Sequence, residues 1–238
     1  MKPKKEEAVE KAKRNAALEA VKHVKDGFIL GLGSGSTVAY ATEEIGRRRI
    51  KAENLRVKVV PTSYQALMLA VKNGIPTTTL EEHPTLDLTI DGADQIDEKL
   101  NLIKGMGGAL TREKIVAAAS KTLIIIADWR KKAKILGENG QPVPIEVLPF
   151  AASFVINKIK MLGGKPKMRE SAGKVGPVVT DNGNFIIDVD FGLIENPAQL
   201  ETKLKTIPGI VETGLFVGMA DLVYVGKHDK VEKLERKK

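Results

Sequence analysis

One short segment of this 238-residue chain limits most strongly what the fold can be. At 86–90, leucine and isoleucine alternate with aspartate and threonine, which is the two-residue period of a strand, and Asp91-Gly92 follows directly. Open parallel sheets bind ligands at the carboxyl ends of their strands, so a strand that runs into Asp91 predicts a ligand site there. The following residues, up to 114, add carboxylates, a lysine and a glycine-rich turn, a composition typical of a catalytic centre.

The rest of the first 130 residues alternates between strand and helix patterns. Strands are predicted at 28–33, 56–60, 86–90 and 123–127, and helices at 8–24, 38–45, 64–72 and 114–119. Alternation of this kind indicates a parallel sheet with right-handed crossovers. The predicted fold class is therefore α/β, with a Rossmann-like doubly wound domain.

The pattern changes after a linker-like segment at 137–142. A strand at 145–148, a helix at 151–162, a strand near Met168, a strand at 185–189 and a helix at 197–205 follow, and Asn182-Gly183 predicts a hairpin turn. These elements predict a small inserted α+β domain of the ferredoxin-like type over 137–211. Residues 1–136 and 212–238 form the remaining predicted domain. The β-like runs at 209–217 and 222–226 can rejoin the first sheet, and the polar end from 227 is expected to fray.

Composition excludes several classes of protein. No apolar run approaches a membrane span, and the charged N-terminus has no signal-peptide core. The absence of cysteine excludes disulfides, thiolate catalysis and cysteine metal sites. The net charge of +8 is spread over runs that also contain acids, and aromatics make up only 4% of the chain, so an anionic small molecule is expected rather than nucleic acid. The expected location is the cytoplasm, with no membrane partner.

A glycine-rich turn between a strand and a helix is the first candidate binding site. Residues Ser34-Gly35-Ser36-Thr37 place hydroxyl groups and backbone N–H groups at a helix start, which favours a phosphate. The glycines at 31, 33 and 35 fit neither a dinucleotide fingerprint nor a GxxxxGK phosphate loop. A simple tight turn before a capped helix explains the same glycines and remains the alternative.

Metal binding is the alternative interpretation of the carboxylates at 91–97. They stand at i, i+3 and i+6, which is not the alternate spacing of a calcium loop. The three histidines, His23, His83 and His228, lie outside every motif, and structural or solvated roles are expected for them. The sequence predicts no metal site.

Three motifs, in order and with matching spacing, carry a resemblance to a known family. They are LGSGSTV at 32–38, DGADQID at 91–97 and KGMGGALTREK at 104–114, with further similarity at 123–127, 180–184 and 207–216. With these motifs the chain resembles the A-type ribose-5-phosphate isomerases over nearly its whole length. The resemblance implies interconversion of D-ribose 5-phosphate and D-ribulose 5-phosphate through an enediolate, in the non-oxidative branch of the pentose phosphate pathway. It also implies no metal or organic cofactor, and a homodimer or homotetramer. For residues 1–136 and 212–238 it implies a Rossmann-like catalytic domain into which the smaller domain is inserted.

The resemblance assigns roles to residues that match the family's motifs. Glu113 matches the carbon base, and Asp91, Asp94 and Lys104 match the other catalytic residues. The implied substrate-binding residues are Ser34, Gly35, Ser36, Thr37, Asp91, Gly92, Ala93, Asp94, Lys104, Gly105, Met106, Gly107 and Lys131. A lysine near the N-terminus is also implied, but the loose match there does not select one.

Each of these residues has a purely structural explanation when it is taken alone. Glu113 can offset a helix dipole, the two aspartates can form turns, and Lys104 can be a solvated cation. The chain departs from the family pattern in two places. Met106 replaces a common glycine, where a left-handed backbone would be strained. Trp129-Arg130 precedes Lys131, where small or polar residues are more usual.

Two other functions remain alternatives. A non-catalytic sugar-phosphate-binding regulatory domain of similar fold would keep the 34–37 loop and lose the acid–base set. An acyl-CoA transferase would place its glutamate nucleophile in a different motif. Fold alone does not decide between these classes.

Overall fold

A computed structural model describes residues 2–50 and 55–236, which contain six α-helices, three short 3-10 helices and fifteen strands. The helices are α1 Lys2–Val21, α2 Ser36–Ile50, α3 Tyr64–Lys72, α4 Leu110–Ala118, α5 Ala152–Met161 and α6 Pro197–Lys205. The strands are β1 Ile29–Leu32, β2 Lys58–Pro61, β3 Leu88–Gly92, β4 Gln95–Ile96, β5 Leu102–Ile103, β6 Leu123–Asp128, β7 Val143–Val147, β8 Lys165–Met168, β9 Glu170–Ser171, β10 Lys174–Pro177, β11 Phe185–Asp190, β12 Ile210–Thr213, β13 Leu215–Phe216, β14 Leu222–Gly226 and β15 Val231–Glu235. Within this described part of the chain, no helix is long and apolar enough to cross a membrane.

The chain divides into two compact units. The first contains Met1–Ala93, Arg112–Lys131 and Met219–Lys238, and the second contains Asp94–Thr111 and Lys132–Gly218. The predicted inserted domain, 137–211, makes up most of the second unit, which also takes in the segment 94–111.

A six-stranded sheet with the order β15-β14-β6-β3-β1-β2 forms the centre of the first unit. Its strands are parallel except for β15, which pairs antiparallel with β14. The predicted parallel α/β sheet is therefore confirmed. The expectation that the polar end from 227 frays was wrong for residues 231–235, which form the edge strand β15 and pair with β14. Of the two β-like runs after 208, only 222–226 rejoins this sheet.

Helices cover both faces of this sheet. Successive residues of β1 point to opposite faces, and each face packs against helices. Leu30 and Leu32 face α1 and α2 in a large apolar cluster, so their burial stabilises that side. Gly31 between them faces α4, where a β-carbon would overlap Thr89 and Val116. The first glycine of the GxGxG run is thus explained by close packing of helix on sheet.

The second unit contains a four-stranded antiparallel sheet with the order β12-β7-β11-β8. Its elements follow the chain order β7, α5, β8, β11, α6, β12, with the short β9–β10 pair between β8 and β11. The predicted turn at Asn182-Gly183 is confirmed, because Val179 bridges Phe185 and Gly183 has a φ of +80°. A separate three-stranded sheet, β13-β5-β4, leads directly into Lys104.

Candidate active site

The first group of candidate residues lies at the carboxyl edge of the parallel sheet in the first unit. The 33–37 loop follows β1, Asp91 is in the last two residues of β3, and Lys131 comes three residues after β6. Since β1, β3 and β6 are adjacent and parallel, their ends share one edge. This is the edge at which open α/β sheets bind ligands.

Asp91 is fully buried and holds the glycine loop in place. Its Oδ1 accepts the N–H groups of Gly92 at 2.7 Å and Ser34 at 3.3 Å. Gly33 is required by this arrangement, because a β-carbon there would overlap the Asp91 carboxylate and lie 2.7 Å from its Cα. The contacts give Asp91 a positioning role toward the loop in addition to any direct role.

The hydroxyl groups of the loop divide into two sets. The Ser34 hydroxyl is hydrogen-bonded to the Ser63 hydroxyl at 2.6 Å and to the Thr62 hydroxyl at 2.9 Å. Ser36 and Thr37 instead open α2, directly after Gly35, whose φ of +100° suits only glycine. Ser36 and Thr37 are therefore the hydroxyl groups best placed for an anion at the helix start.

Lys13, one of the lysines near the N-terminus among which the sequence did not choose, lies beside the glycine loop. Lys13 Nζ lies 3.1 Å from the Ser36 hydroxyl and 2.7 Å from Glu10, whose other oxygen accepts a hydrogen bond from Tyr40. The hydrogen bond from Lys13, followed by that from Tyr40, holds the pKa of Glu10 below its ordinary value. Glu10 thus stays ionised and keeps the Lys13 ammonium beside the anion loop. The pairing joins residues 23 positions apart, which sequence pattern alone does not reveal.

Glu113 lies in the first turn of α4 and is 5% exposed. The helix packs onto the sheet through Val116, and Arg112 lies 5.5 Å from the centroid of the Tyr64 ring. A carboxylate in this position is shielded from water, as a base that removes a weakly acidic carbon proton requires.

The second group of candidate residues lies in the second unit. The N–H of Asp94 donates to the Ile103 carbonyl at 2.9 Å, and the Asp94 carboxylate accepts the N–H of Met106 at 2.9 Å. These two hydrogen bonds fix the position of Asp94. Lys104 is 3% exposed, its N–H donates to Gly214, and its ammonium lies 5.4 Å from the centroid of the Phe216 ring. A nearly buried lysine at the end of a strand is a fixed positive charge, suited to stabilising a developing oxyanion.

The strain considered for Met106 is absent. The left-handed conformations of this turn fall on Gly105, with φ of +101°, and on Gly108, with φ of +77°. Met106 is outside the positive-φ region and projects its side chain outward, 44% exposed. The departure from glycine at this position therefore costs no backbone strain.

The two residues that precede Lys131, Trp129 and Arg130, make structural contacts. Arg130 donates hydrogen bonds to Asp128 from its side chain at 2.7 Å and from its backbone N–H at 3.1 Å. Burial raises the pKa of Asp128, but these hydrogen bonds bring that pKa below its ordinary value. Trp129 stacks on His228 at a centroid distance of 4.9 Å. Among the described residues, no group of three or more His, Cys, Asp or Glu side chains is arranged to hold a metal ion.

Known proteins resemble this chain over most of its length. Residues 58–230 match the family described as ribose 5-phosphate isomerase A (phosphoriboisomerase A). The ribose-5-phosphate isomerase A of Methanosarcina acetivorans is 50% identical over 222 residues, which cover 93% of each chain. That of Pyrococcus horikoshii is 45% identical, covering 96% of this chain and 99% of the relative.

Solved structures show the same similarity in three dimensions. One is a D-ribose-5-phosphate isomerase in complex with phospho-erythronic acid, with a TM-score of 0.93, 45% identity, and coverage of 96% of this chain and 99% of that chain. Another, a ribose 5-phosphate isomerase A from Methanocaldococcus jannaschii, has a TM-score of 0.90 at 44% identity, covering 94% and 98%.

Proposed function

The chain belongs to the ribose 5-phosphate isomerase A family, and we propose the residue roles through which it interconverts D-ribose 5-phosphate and D-ribulose 5-phosphate. The observation that carries this function is 50% identity over 93% of both chains with the isomerase of Methanosarcina acetivorans. The acid–base set of Asp91, Asp94, Lys104 and Glu113 is also present. A non-catalytic regulatory domain would have no need of that set, so that alternative is not favoured.

Aldose–ketose exchange moves one proton between carbons and another between oxygens. A carboxylate takes the proton from C2 of the open-chain aldose, and the electron pair moves into an enediolate. The same group returns the proton to C1, while a proton passes from O2 to O1. The reaction therefore needs a base near the carbons and positive or N–H groups near the oxygens.

Glu113 is assigned as the carbon base. Its support is the family motif at 104–114, together with a position in the first turn of α4 that is 5% exposed. Lys104 is assigned to stabilise the enediolate oxygen, supported by its burial at the end of β5. Asp94, fixed by Ile103 and Met106, is assigned to the proton exchange between oxygens. Asp91 is assigned to shape the loop that receives the substrate.

The phosphate group is assigned to Ser36, Thr37, Lys13 and Lys131. Their support is the helix start at Ser36 and the contact of Lys13 with its hydroxyl at 3.1 Å. Because the phosphate does not change during the reaction, these groups bind ground state and transition state equally and act on KM.

We expect Lys13→Met to raise KM for ribose 5-phosphate by about tenfold, the value of one charge-assisted hydrogen bond, while kcat changes little. Ser36→Ala and Lys131→Ala should act in the same direction. Steady-state kinetics measure both constants. The matched control is Lys22→Met: Lys22 directly follows the last residue of the same helix, and its ammonium pairs with Glu19. Equal KM values for the Lys13 and Lys22 variants would remove Lys13 from the phosphate site.

The proposed reaction needs no metal or organic cofactor, because Lys104 and backbone N–H groups supply the oxyanion stabilisation. We expect turnover of ribose 5-phosphate to persist in full after exhaustive EDTA treatment and dialysis. A direct isomerase assay measures it and also tests the function itself. An untreated protein without turnover would refute the function. Activity lost with EDTA and restored by a divalent ion would refute only metal independence.

The finer architecture and the assembly belong to the same proposal. The order β7-α5-β8-β11-α6-β12 supports a ferredoxin-like inserted domain, and helices on both faces of the parallel sheet support a Rossmann-like catalytic domain.

The expected state is a homodimer or homotetramer in the cytoplasm. Two exposed aromatic side chains four residues apart, Phe150 and Phe154, support the oligomer, since exposed apolar surface often marks a protein interface. A monomer mass in light scattering would overturn it.

A further inference from the structure

The turn after Lys104 can adopt two conformations that differ in one peptide plane. The N–H of Gly108 donates to the carbonyl of Gly105 at 2.9 Å, which closes a four-residue turn with Met106 and Gly107 at its centre. Type I and type II turns differ by a flip of the peptide between those central residues, and glycine at the second position permits both. Gly107 is outside the positive-φ region that type II needs, so this turn is type I.

One side chain holds that peptide in its observed orientation. Arg169 Nη1 donates to the Met106 carbonyl at 3.0 Å and to the Gly105 carbonyl at 2.9 Å. The other edge of the guanidinium is held by Asp188, which accepts from Nε at 2.8 Å and from Nη2. The Arg169 and Asp188 side chains are only 12% and 20% exposed, so the pair is well shielded from water.

The direction of the carbonyls determines the direction of the opposite N–H groups. In a trans peptide the C=O and N–H bonds point in opposite directions. Because Arg169 holds the Gly105 carbonyl, the N–H of Met106 points to Asp94, which it reaches at 2.9 Å. Because Arg169 also holds the Met106 carbonyl, the N–H of Gly107 points away from the guanidinium.

We propose that Arg169 is a positioning residue for the isomerisation, which locks the 105–108 turn as type I so that the Gly107 N–H faces the substrate oxygens and the Met106 N–H holds Asp94. The inference rests on the proposed function, and on the family resemblance, which implies that residues 105–107 bind substrate. The arginine is needed for its shape, since one planar group serves two carbonyls and two carboxylate oxygens. A lysine ammonium has no such geometry.

The first test is Arg169→Ala. Without the guanidinium the central peptide is released to flip, and Gly107 N–H is lost to the reaction in the flipped population. In the flipped conformation the loss of one oxyanion donor costs about a hundredfold or more. Glycine at the second central position favours type II, so the flipped conformation should predominate while a minority stays type I, and kcat should fall between roughly tenfold and a hundredfold. Arg169→Lys should recover only part of this loss. The control is Arg56→Ala, which removes an arginine paired with Asp26 and should leave kcat unchanged.

A second background separates positioning from general stability. Alanine at 107 disfavours the left-handed conformation of type II by roughly tenfold relative to glycine, and no atom lies within 4 Å of its β-carbon. Gly107→Ala should therefore keep the turn type I without help. In that background Arg169→Ala should cost less than about threefold in kcat. An equal loss in both backgrounds, or no loss in either, would overturn the proposal.

A readout independent of turnover distinguishes failure of this inference from failure of the proposed function. The Gly107 amide resonance in a ¹H–¹⁵N spectrum reports the orientation of its peptide. It should shift in Arg169→Ala and stay in place in Arg56→Ala. In the Gly107→Ala background, the amide resonance of the alanine at 107 should stay in place when Arg169→Ala is added. An unshifted resonance in Arg169→Ala refutes the lock even if wild-type turnover is absent. If Arg169→Ala does not fold, Arg169→Lys carries the same measurements, and an unchanged kcat and resonance there refute the lock.

Discussion

Glu113→Gln is expected to lower kcat by at least about a hundredfold while KM for ribose 5-phosphate changes little. Glutamine keeps the shape and hydrogen bonding of the side chain but cannot accept the C2 proton. General-base catalysis typically contributes about 10²–10⁴ in rate. Since Glu113 is 5% exposed in the first turn of α4, little water is available beside it to replace the lost base.

Exchange of the C2 proton with deuterated solvent provides the direct measurement. It should disappear in parallel with turnover, because both need removal of the same proton. Glu98→Gln is the matched control, since Glu98 is exposed and comes from the same 91–114 segment. A Glu113→Gln enzyme that kept turnover and exchange would place the base on another carboxylate. Asp94 would then be replaced next, because it is partly exposed whereas Asp91 is fully buried.

The elements predicted well from the sequence are those with a local signal. Hydrophobic alternation at 86–90 and the apolar run at 123–127 indicated two central strands of the parallel sheet. The first of these strands runs further than expected, through Gly92, because Gly92 still pairs with Ile126. The glycines of the 31–35 run were noted as a turn. The structure adds that two of them are needed for close packing, against Val116 and Asp91, and only Gly35 for its φ.

The features that sequence reasoning missed depend on partners far along the chain. Lys13 reaches Ser36, and Arg169 reaches Gly105, 64 residues away. No periodicity encodes such pairs, because a polar residue looks the same in sequence whether it is solvated or buried against a distant carbonyl. The tail was misjudged for a related reason: its charged residues suggested fraying, but pairing with β14 satisfies the backbone of 231–235 whatever the side chains are.

A buried carboxylate in the second unit illustrates how much stability such long-range pairs provide. Glu146 lies on β7 with no exposed surface. One oxygen accepts the Thr111 hydroxyl at 2.6 Å, and the other accepts from Thr180, Asn182 and Asn184 at 2.8–3.0 Å. Four donors compensate the loss of hydration that burial imposes on this charge. The same contacts connect the start of α4 to the 180–184 turn.

We expect Glu146→Leu to lower the free energy of unfolding by at least about 3 kcal/mol. A well-packed apolar residue can replace a buried ion pair at little cost when both partners are removed. Here the donors remain, and each buried donor without an acceptor costs roughly 1–3 kcal/mol. For a chain of this size the loss corresponds to a fall in Tm of about 6–12 °C, which calorimetry measures.

Glu146→Gln separates the loss of charge from the loss of acceptors. The amide oxygen can replace the carboxylate oxygen that meets Thr180, Asn182 and Asn184. The amide nitrogen then faces Thr111, whose hydroxyl can rotate to accept its hydrogen bond. All four contacts survive, but the amide brings one further N–H donor into the buried site, so Glu146→Gln should cost roughly 1–3 kcal/mol, less than the loss of all four acceptors in Glu146→Leu. If the leucine variant were as stable as the glutamine variant, the four donors would have found other partners, and Glu146 would not anchor the start of α4.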